Sequence, residues 1–513
     1  MTATGVEHVE VAIIGAGFGG LATAYQLAGA GIDDVVIFER SNGVGGTWRQ
    51  NHYPGAACDV PSHLYSLSFA PNPDWSRTYA SQPEILQYIE DCYDRFDLRR
   101  RVRCATEIHS MAWDGDRHLW RLSDRNGERY EARIVVSAIG LFHTPSVPDL
   151  PGLDAFAGTA FHSARWDHDH DLTGRRVAVI GTGASAVQIV PAIAEQAGRV
   201  DVYQRTPAWV LPRKDEPYSD EQRRIFADRP EVARQLRDEQ HDAFESATTF
   251  FTGDPTGAAI EMFARDYLAR KVPDPELRAR LTPDYPIGCK RALVSSAFYS
   301  VVQRDDVELV TSRIERIGPG GIRTVDGTER PCDTIVLCTG FHAAEYLRGI
   351  AVTGRDGTDL HRRWARVPRA YHGLAVPGFP NLFLLYGPNT NQGGNSIVLI
   401  LEAQARFVAE ALRAMQEEGA TAVEVRTEAM ARYVEDLTTA LEGTVWNGGC
   451  DSYFRAAGGE VVTQLPHTSG QYRLQIERFP TGDFELSGGL SAGHGPPSPT
   501  GAPDPRAEAP LTH

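Results

Sequence analysis

Two glycine-rich turns, each directly after a short apolar segment, constrain the fold of this chain more than any other feature. Residues 15–20 (GAGFGG) follow the apolar residues 9–14, and residues 181–186 (GTGASA) follow residues 176–180. Near-continuous apolar runs of this length are typical of parallel strands that are covered on both faces. Glycines permit a tight turn and let a pyrophosphate approach the N-terminus of the next helix. The sequence therefore predicts an α/β protein with two Rossmann-like dinucleotide-binding domains.

The two units differ in the residue that ends their second strand. Glu39 stands 22 residues after Gly17, where a carboxylate can accept hydrogen bonds from ribose hydroxyls. Arg205, followed by Thr206, stands 22 residues after Gly183. An arginine at this place can pair with a 2′-phosphate, which a carboxylate would repel. We therefore expect FAD in the first unit and NADPH, in preference to NADH, in the second.

The expected cofactor contacts follow the two turns. For FAD they are Gly15, Gly17, Phe18, Gly20, Glu39 and Arg40. For NADPH they are Gly181, Thr182, Gly183, Ala184, Ser185, Ala186, Gln188, Arg205 and Thr206. Lys214, further along, is interpreted as a solvated surface charge.

The pattern of linkers and composition predicts a divided first domain. Residues 1–147 and 333–485 are expected to form the FAD-binding domain, and residues 148–214 and 281–332 the NADPH-binding domain. Residues 215–280 are rich in charge and predict a helical insertion, a candidate lid or subunit contact. Gly, Pro, Ser and Ala dominate residues 486–513, which predicts a disordered tail.

Some local predictions bear on the site. Residues 45–59 are dense in glycine, aromatic and proline residues, which predicts an ordered loop rather than a helix or strand. Loops at the carboxyl ends of parallel strands are where ligands bind, although a surface loop with chance aromatics is the alternative. Residues 84–96 are predicted to be helical, and residues 107–120 and 133–139 to be strands.

Composition excludes several classes of protein. A formal charge of −16 argues against sequence-independent binding of nucleic acid, which needs clustered Lys and Arg. No apolar run approaches the roughly 20 residues of a membrane span. The seven cysteines are scattered and contain no Cys-x-x-Cys. This pattern predicts reduced thiols in a cytoplasmic protein, rather than a disulfide framework or a metal site.

The scarcity of paired cysteines also limits where electrons from NADPH can go. A disulfide reductase would need a Cys-x-x-Cys or another close pair, so oxygen is the obvious remaining acceptor. Oxygen chemistry on a flavin needs a site that excludes water and supplies positive charge. Arginine suits that role because it stays charged and presents several fixed donors.

Residues 156–167 (FAGTAFHSARWD) resemble the fingerprint of type I Baeyer–Villiger monooxygenases, flavoproteins of the flavin-containing monooxygenase superfamily. The matching residues are Phe156, Gly158, His162, Trp166 and Asp167. Further segments similar to the family are residues 45–59, 289–291, 338–341 and 446–450, and the resemblance spans roughly residues 8–470. The related N- and S-oxygenating enzymes typically lack the closing Trp-Asp, so Trp166 and Asp167 favour the Baeyer–Villiger family.

This resemblance implies an enzyme that uses NADPH and O2 to insert one oxygen atom beside a ketone carbonyl, through a C4a-peroxyflavin, giving an ester or lactone. Arg291 would stabilise the peroxide anion and the oxyanion, and Asp59 would orient Arg291. His162 would couple domain movement to cofactor reduction. The resemblance adds Gly46, Thr47, Trp48, Asp59, Tyr65 and Ile108 to the FAD contacts, and Lys290 and Trp446 to those of NADPH.

Two other activities for a flavoprotein remain open. One is a flavin monooxygenase that oxygenates amines or sulfides, and the other is a flavoprotein reductase that passes electrons to a protein partner. A non-enzymatic nucleotide-binding regulator would leave two cofactor sites idle. Phe454 departs from the family pattern, in which Trp-Tyr or Tyr-Tyr is expected beside the substrate region. The ketone and the oligomeric state are open.

Overall fold

The computed structural model describes residues 6–248, 251 and 256–489. Its first glycine-rich turn joins a strand to a helix, as the sequence predicts. The elements of this region are β1 (Glu7–Ile14), α1 (Phe18–Gly29), β2 (Val35–Phe38), α2 (Thr47–Gln50), α3 (Gln82–Arg95), β3 (Val102–Arg103), β4 (Ile108–Asp114), β5 (Leu119–Asp124) and β6 (Arg129–Ser137). Strands β1, β2 and β6 pair in parallel, which brings their carboxyl ends to one edge.

Two local predictions are wrong in this region. The predicted loop 45–59 contains the short helix α2, whose Trp48 is buried. The predicted single strand 107–120 is two antiparallel strands, β4 and β5, because the chain turns at residues 115–118 and His118 adopts φ 51°. The residues of the first segment do not reveal the short helix, and those of the second do not reveal the turn. Both depend on tertiary packing, which overrides local propensity.

The second sheet contains the second glycine-rich turn. Its elements are β7 (Thr159–His162), β8 (Arg176–Ile180), α4 (Ala186–Ile193), β9 (Arg199–Tyr203), β10 (Val210–Leu211), α5 (Asp220–Asp228), α6 (Pro230–Thr248), α7 (Thr256–Lys271), α8 (Pro275–Leu281), β11 (Leu293–Val294), α9 (Phe298–Val301), β12 (Val307–Val310), β13 (Ile314–Gly318), β14 (Gly321–Thr324), β15 (Glu329–Pro331) and β16 (Thr334–Leu337). The parallel sheet has the order β12-β9-β8-β16-β7. The α/β class with two dinucleotide-type sheets is therefore confirmed.

The chain returns to the first sheet later than the sequence predicts. Strand β16 begins at Thr334 and hydrogen-bonds to both β8 and β7, so it belongs to the second sheet. The predicted boundary at residue 333 therefore falls one strand too early. The elements after the return are β17 (Ala351–Thr353), α10 (Leu360–Arg363), β18 (Leu382–Leu384), α11 (Ile397–Glu418), β19 (Ala422–Val425), α12 (Thr427–Glu442), α13 (Ser469–Gln475) and β20 (Phe484–Ser487).

The first sheet is completed from both ends of the chain. Strand β17 pairs with β4, and β18 pairs with β6 in parallel. Strand β20 pairs with β19, so Leu486 and Ser487, predicted to lie in the disordered tail, are strand residues. The rest of that predicted tail, residues 490–513, lies outside the described residues. Among the helices of the described part of the chain, none has the length and apolar character needed to cross a bilayer.

Cys289 and Cys450 form a disulfide that joins two segments 161 residues apart in sequence. The prediction that all cysteine thiols are reduced is therefore wrong for this pair. The other five, Cys58, Cys92, Cys104, Cys332 and Cys338, are free. Sequence spacing could not show the pair because the two cysteines meet only when the second sheet and the C-terminal region pack together.

The helices of the predicted insertion are anchored to the C-terminal region by Glu245. Its carboxylate, near the end of α6, accepts hydrogen bonds from Ser469 Oγ at 2.6 Å and from the backbone N–H of Gly470 at 2.6 Å. It also accepts from Asn395 Nδ2 at 2.8 Å. Burial opposes ionisation, but these donors outweigh it and lower the pKa of Glu245. The carboxylate thus stays charged and links α6 to the N-terminus of α13.

We predict that Glu245→Ala weakens the attachment of α6 by about 1–2 kcal/mol at neutral pH, because charge-assisted hydrogen bonds are lost from a half-buried site. The depressed pKa means that this stabilisation is present above the ordinary carboxyl range and is lost as the pH falls through the folded pKa. Hydrogen exchange of α6 should accelerate in the variant at pH 7, with a smaller difference from wild type at acidic pH. Asp242→Ala, at an exposed position on the same helix, is the control. Equal exchange in Glu245→Ala and Asp242→Ala would contradict the anchor.

Candidate functional site

The first sheet carries a long cleft with an empty volume of about 1150 Å³ at the carboxyl ends of its parallel strands. Gly15, at φ 107°, makes the turn after β1, and a Cβ on Gly46 would come 2.9 Å from the Cα of Gly17. The backbones at Gly17 and Gly46 therefore approach each other more closely than a side chain at Gly46 would allow. The predicted FAD contacts that line the cleft are Gly15, Gly17, Phe18, Glu39, Arg40, Gly46, Thr47, Trp48, Tyr65 and Ile108.

Two predicted FAD contacts do not line this cleft. Gly20 lies behind the turn, where a Cβ would overlap the carbonyl oxygen of Gly15. Asp59 instead pairs with Arg291. Gly20 thus shapes the turn without facing the cleft.

The sequence did not identify a second set of cleft residues, which come from other segments of the first sheet and from α11. They follow β6 and β18 or lie at the start of α11: Ala138, Ile139, Gly140, Leu141, Phe142, His143, Leu385, Tyr386, Ile397 and Leu401. The rule that ligands bind at the carboxyl ends of parallel strands could have found those after β6. Those after β18 required knowledge that the chain returns to pair with β6.

Glu39 is nearly inaccessible, with 5% of its surface exposed, at the end of β2. Its carboxylate accepts hydrogen bonds from the backbone N–H groups of Ala16 at 2.9 Å and Ser41 at 2.8 Å. These contacts fix it at the wall of the cleft beside the glycine turn. A carboxylate held there, with the turn free of side chains, fits the ribose and pyrophosphate of a dinucleotide.

An ion pair between Arg291 and Asp59 joins the two halves of the molecule. Both Nε, at 3.2 Å, and Nη2 of Arg291 donate to the same oxygen, Asp59 Oδ2. Burial opposes ionisation of Asp59, but the charge and hydrogen bonds of Arg291 outweigh it and lower the pKa of Asp59. The charge of Asp59 in turn raises the pKa of Arg291. Both residues are therefore charged at neutral pH.

Two tyrosines surround this pair. Burial raises the pKa of Tyr386, which lines the cleft and interacts electrostatically with Arg291 and Asp59. Its hydroxyl donates to Asn391 Oδ1. Burial also raises the pKa of Tyr453, while the charge of Arg291 opposes this rise. Arg291 thus interacts with a tyrosine of the FAD cleft and with a tyrosine of the C-terminal region, and both phenols are neutral.

The second glycine-rich turn follows β8 and places its residues before α4. Gly181 adopts φ 109°, and a Cβ there would overlap the carbonyl oxygen of Cys338. Thr182 Oγ1 donates to the carbonyl oxygen of Thr206 at 3.2 Å, so turn and second strand meet as predicted for one nucleotide site. Gln188 has a different environment: its side chain accepts from Tyr53 and donates to the Ala57 carbonyl oxygen, both at 3.0 Å.

Arg205 and Lys290 come together beside this turn. Arg205 has 89% of its side chain exposed, and its Nη2 is 4.0 Å from Asp451 Oδ2. Burial lowers the pKa of Lys290, which interacts with both Arg205 and Asp451. Two cations from different segments near an open turn suit a phosphate, and Asp451 is an anion that such a phosphate would displace from the pair.

The structure places Trp446 away from solvent, with 2% of its surface exposed. Its ring stacks on Phe251, with centroids 5.2 Å apart. Although Trp446 is predicted to contact NADPH, its ring presents almost no surface to a nucleotide in this arrangement.

The fingerprint residues lie where the chain passes between the two sheets. His162, at the end of β7, donates from Nε2 to the carbonyl oxygen of Gly340 at 3.0 Å and accepts from the N–H of Ala164 at 3.1 Å. Burial lowers its pKa, so the imidazole is neutral. A Cβ on Gly158 would overlap the carbonyl oxygen of Asp333, and Trp166 packs edge-on against Phe161. Both ring nitrogens of His162 thus form hydrogen bonds with backbone atoms, which fits a structural role where the chain passes between the two sheets.

Comparison with known proteins decides the family. A family model described as pyridine nucleotide-disulphide oxidoreductase matches residues 12–223. A Baeyer–Villiger monooxygenase of Pseudomonas aeruginosa is 42% identical over 95% of this chain and 93% of its own. One from Streptomyces coelicolor is 43% identical over 94% of this chain and 93% of its own.

The chain belongs to the Baeyer–Villiger monooxygenase family.

Solved structures of this family have the same architecture. A steroid monooxygenase bound to NADP has a TM-score of 0.83 and 34% identity, covering 93% of this chain and 99% of its own. A cyclohexanone monooxygenase from Rhodococcus sp. Phi1, bound to NADP+, has a TM-score of 0.84 and 32% identity, covering 94% and 99%. The family resemblance noted at residues 156–167 is thereby confirmed over 93% or more of this chain.

We predict that Gly20→Ala in this monooxygenase abolishes retention of FAD, because the added methyl group displaces the Gly15 peptide that shapes the turn. Bound flavin per chain, measured by absorbance after purification, should fall to a small fraction of the wild-type value. Gly29→Ala is the matched control, since a Cβ on Gly29, in the same helix, meets nothing within 4 Å. Full flavin content in Gly20→Ala would contradict this role.

We predict that Arg205→Ala raises the KM for NADPH by about tenfold or more and the KM for NADH by much less, because only NADPH carries the phosphate that a charge-assisted hydrogen bond would recognise. Steady-state oxidation of both nucleotides measures this difference. Lys214→Ala removes another exposed cation and should change neither KM. Equal effects of Arg205→Ala on the two nucleotides would contradict contact with the phosphate.

Proposed function

We propose that this chain is an FAD- and NADPH-dependent monooxygenase that converts a ketone into an ester or lactone by inserting one atom of O2. The observation that carries the proposal is the Arg291–Asp59 pair, a charged pair that interacts electrostatically with Tyr386 of the FAD cleft. The residues of the cleft and of both glycine turns fit two dinucleotides. The sequence relatives named as Baeyer–Villiger monooxygenases support the reaction class.

FAD, when bound, supplies the redox chemistry with which oxygen is activated. The task of Arg291 is electrostatic: its guanidinium stabilises negative charge on the activated oxygen and on the carbonyl oxygen of the ketone as the carbonyl is attacked. Such stabilisation is strong where water is excluded and donors are fixed in advance. Because its pKa is raised, Arg291 holds its protons throughout and acts by charge.

Asp59 orients Arg291. Two donors of Arg291 converge on Asp59 Oδ2, which ties the guanidinium to this carboxylate. The lowered pKa of Asp59 keeps this acceptor ionised. Removing its charge would free the arginine to turn, so Asp59 contributes through geometry more than through contact with substrate.

Arg205 and Lys290 would hold the 2′-phosphate of NADPH, with Thr206 nearby and the turn of residues 181–186 facing the pyrophosphate. Their position beside the turn supports this. Lys290 and Arg291 are neighbours in sequence, so one segment would serve both the nucleotide and the oxygen chemistry. We further propose that the enzyme acts in the cytoplasm, where NADPH is available.

The reaction is tested by mass spectrometry of products formed by purified enzyme with NADPH, ¹⁸O2 and a panel of linear, cyclic and aromatic ketones together with sulfides and amines. We expect at least one ketone to give an ester or lactone that carries a single ¹⁸O atom. Labelled sulfoxide or N-oxide in the absence of any ester would favour the amine- or sulfide-oxygenating alternative. NADPH oxidation without any labelled organic product would contradict the proposal and favour a reductase.

A further inference from the structure

We propose that Tyr386 forms the wall of the FAD cleft beside the flavin ring, and that Asn391 is a positioning residue that holds Tyr386 in place. The inference rests on the proposed monooxygenase function, since it concerns the end of the cleft where oxygen would react. Neither residue belongs to the cofactor contacts that the sequence predicts.

The order of strands places Tyr386 at one end of the cleft. Strand β1 pairs with β2 on one side and with β6 on the other, and β18 pairs with β6. Along the carboxyl edge the order is therefore β2, β1, β6, β18, with Glu39 after β2 and Tyr386 after β18. A dinucleotide with its ribose at Glu39 and its pyrophosphate at the turn after β1 would extend its other half toward Tyr386. The flavin ring is therefore expected at the end that Tyr386 lines.

Tyr386 has a backbone conformation that tyrosine seldom adopts. Its φ is 57°, in the left-handed region that favours glycine. A bulky residue keeps such a conformation only where surrounding contacts impose it, and residues of this kind cluster at active sites and ligand clamps. The strained backbone indicates that the direction of the Tyr386 side chain is under constraint.

Buried amide side chains hold Tyr386 at its backbone and at its hydroxyl. The backbone N–H donates to Gln404 Oε1 at 2.8 Å, and the hydroxyl donates to Asn391 Oδ1. Gln404 is fixed in turn, because its Nε2 donates to the Tyr472 hydroxyl at 2.8 Å. Gln404 and Asn391 are both buried. Water therefore competes little for these hydrogen bonds, and they restrict the phenol strongly.

Asn391 is anchored to residues 463–465. Its backbone N–H donates to the carbonyl oxygen of Thr463 at 2.8 Å, and its carbonyl oxygen accepts from the N–H of Leu465 at 3.0 Å. Its Nδ2 donates to Gln464 Oε1. Because Nδ2 is engaged by Gln464, Oδ1 is the atom that accepts from Tyr386. The proton of the phenol is thus held by Asn391 and is not offered to the cleft.

The ring of Tyr386 packs against two apolar clusters of the first sheet and lines the cleft beside Leu385 and Ile397. A ring held still at this place keeps water from the reacting oxygen. In the coupled reaction one oxygen atom of O2 enters the ketone and the other leaves as water. When water reaches the site, O2 instead takes up two electrons from NADPH and two protons and leaves as hydrogen peroxide.

The first test compares Tyr386→Phe and Asn391→Leu with wild type at saturating FAD, using the ketone that the wild type converts best. We expect ester formed per NADPH oxidised to fall about fivefold or more in each variant, with hydrogen peroxide accounting for the difference. The rate of flavin reduction by NADPH without oxygen should stay within about twofold of wild type. A purely structural loss would lower the amount of active enzyme without changing this ratio of products.

The control is Tyr371→Phe, which removes a buried hydroxyl that donates to Asp483 away from the cleft. It should keep the wild-type ratio of ester to hydrogen peroxide. If Asn391→Leu does not fold, Tyr386→Phe decides alone, because it keeps the ring and every backbone contact.

The second test measures FAD binding without catalysis, by titrating the flavin-free protein with FAD. Tyr386→Phe and Asn391→Leu should each raise the Kd for FAD about threefold or more, because the wall beside the flavin ring is less well ordered. The double variant should bind FAD no more weakly than the weaker single variant, since both changes remove the same hydrogen bond. Tyr371→Phe should bind FAD as wild type does.

Wild-type coupling in Tyr386→Phe would overturn the inference while leaving the proposed function intact. An unchanged Kd for FAD in Tyr386→Phe, or additive effects of the two changes on that Kd, would overturn it as well. If the wild type forms no ester from any ketone, the proposed function itself fails, and the FAD titration then decides whether Tyr386 and Asn391 hold the flavin end of the cleft.

Discussion

The ion pair between Arg291 and Asp59 is the interaction on which the site depends, because its partners come from opposite halves of the chain. Asp59 belongs to the region that follows the first glycine turn, and Arg291 to the segment before β11 of the second half. Both side chains are about a third exposed or less, and removing one partner leaves the charge of the other without its counter-ion. The pair therefore links the segments that carry the two cofactor sites and keeps a cation near Tyr386 of the FAD cleft. The hydrogen bonds of Gln188 with Tyr53 and Ala57 cross the same interface.

Much of the framework could be predicted from sequence where periodicity and turn chemistry agree. The bounds of β8 coincide with the predicted residues 176–180, because a continuous apolar run that ends at a glycine turn leaves few alternatives. The glycine turns located both cofactor regions for the same reason: only glycine permits the φ of 107° at Gly15 and 109° at Gly181 without strain. The identities of Arg291 and Asp59 came from the family resemblance, since one arginine among many carries no signal of its own.

The remaining features depend on contacts between distant segments. The Cys289–Cys450 disulfide, the burial of Trp446 against Phe251 and the position of Tyr386 in the cleft all follow from how the C-terminal region packs. Strand β16 was assigned to the wrong sheet because its apolar residues fit either one, and only its pairing with β7 and β8 distinguishes them. Helix α2 forms in a segment of poor local propensity, since packing of Trp48 outweighs it.

The central claim is that the charge of Arg291 serves oxygenation and not the delivery of electrons. It is tested most directly by comparing Arg291→Ala with wild type for ester formed and NADPH consumed, using a ketone that the wild type converts and enzyme verified to contain flavin. The account predicts that Arg291→Ala still oxidises NADPH but forms no measurable ester, with hydrogen peroxide as the product of oxygen. Undiminished ester formation by Arg291→Ala would contradict it.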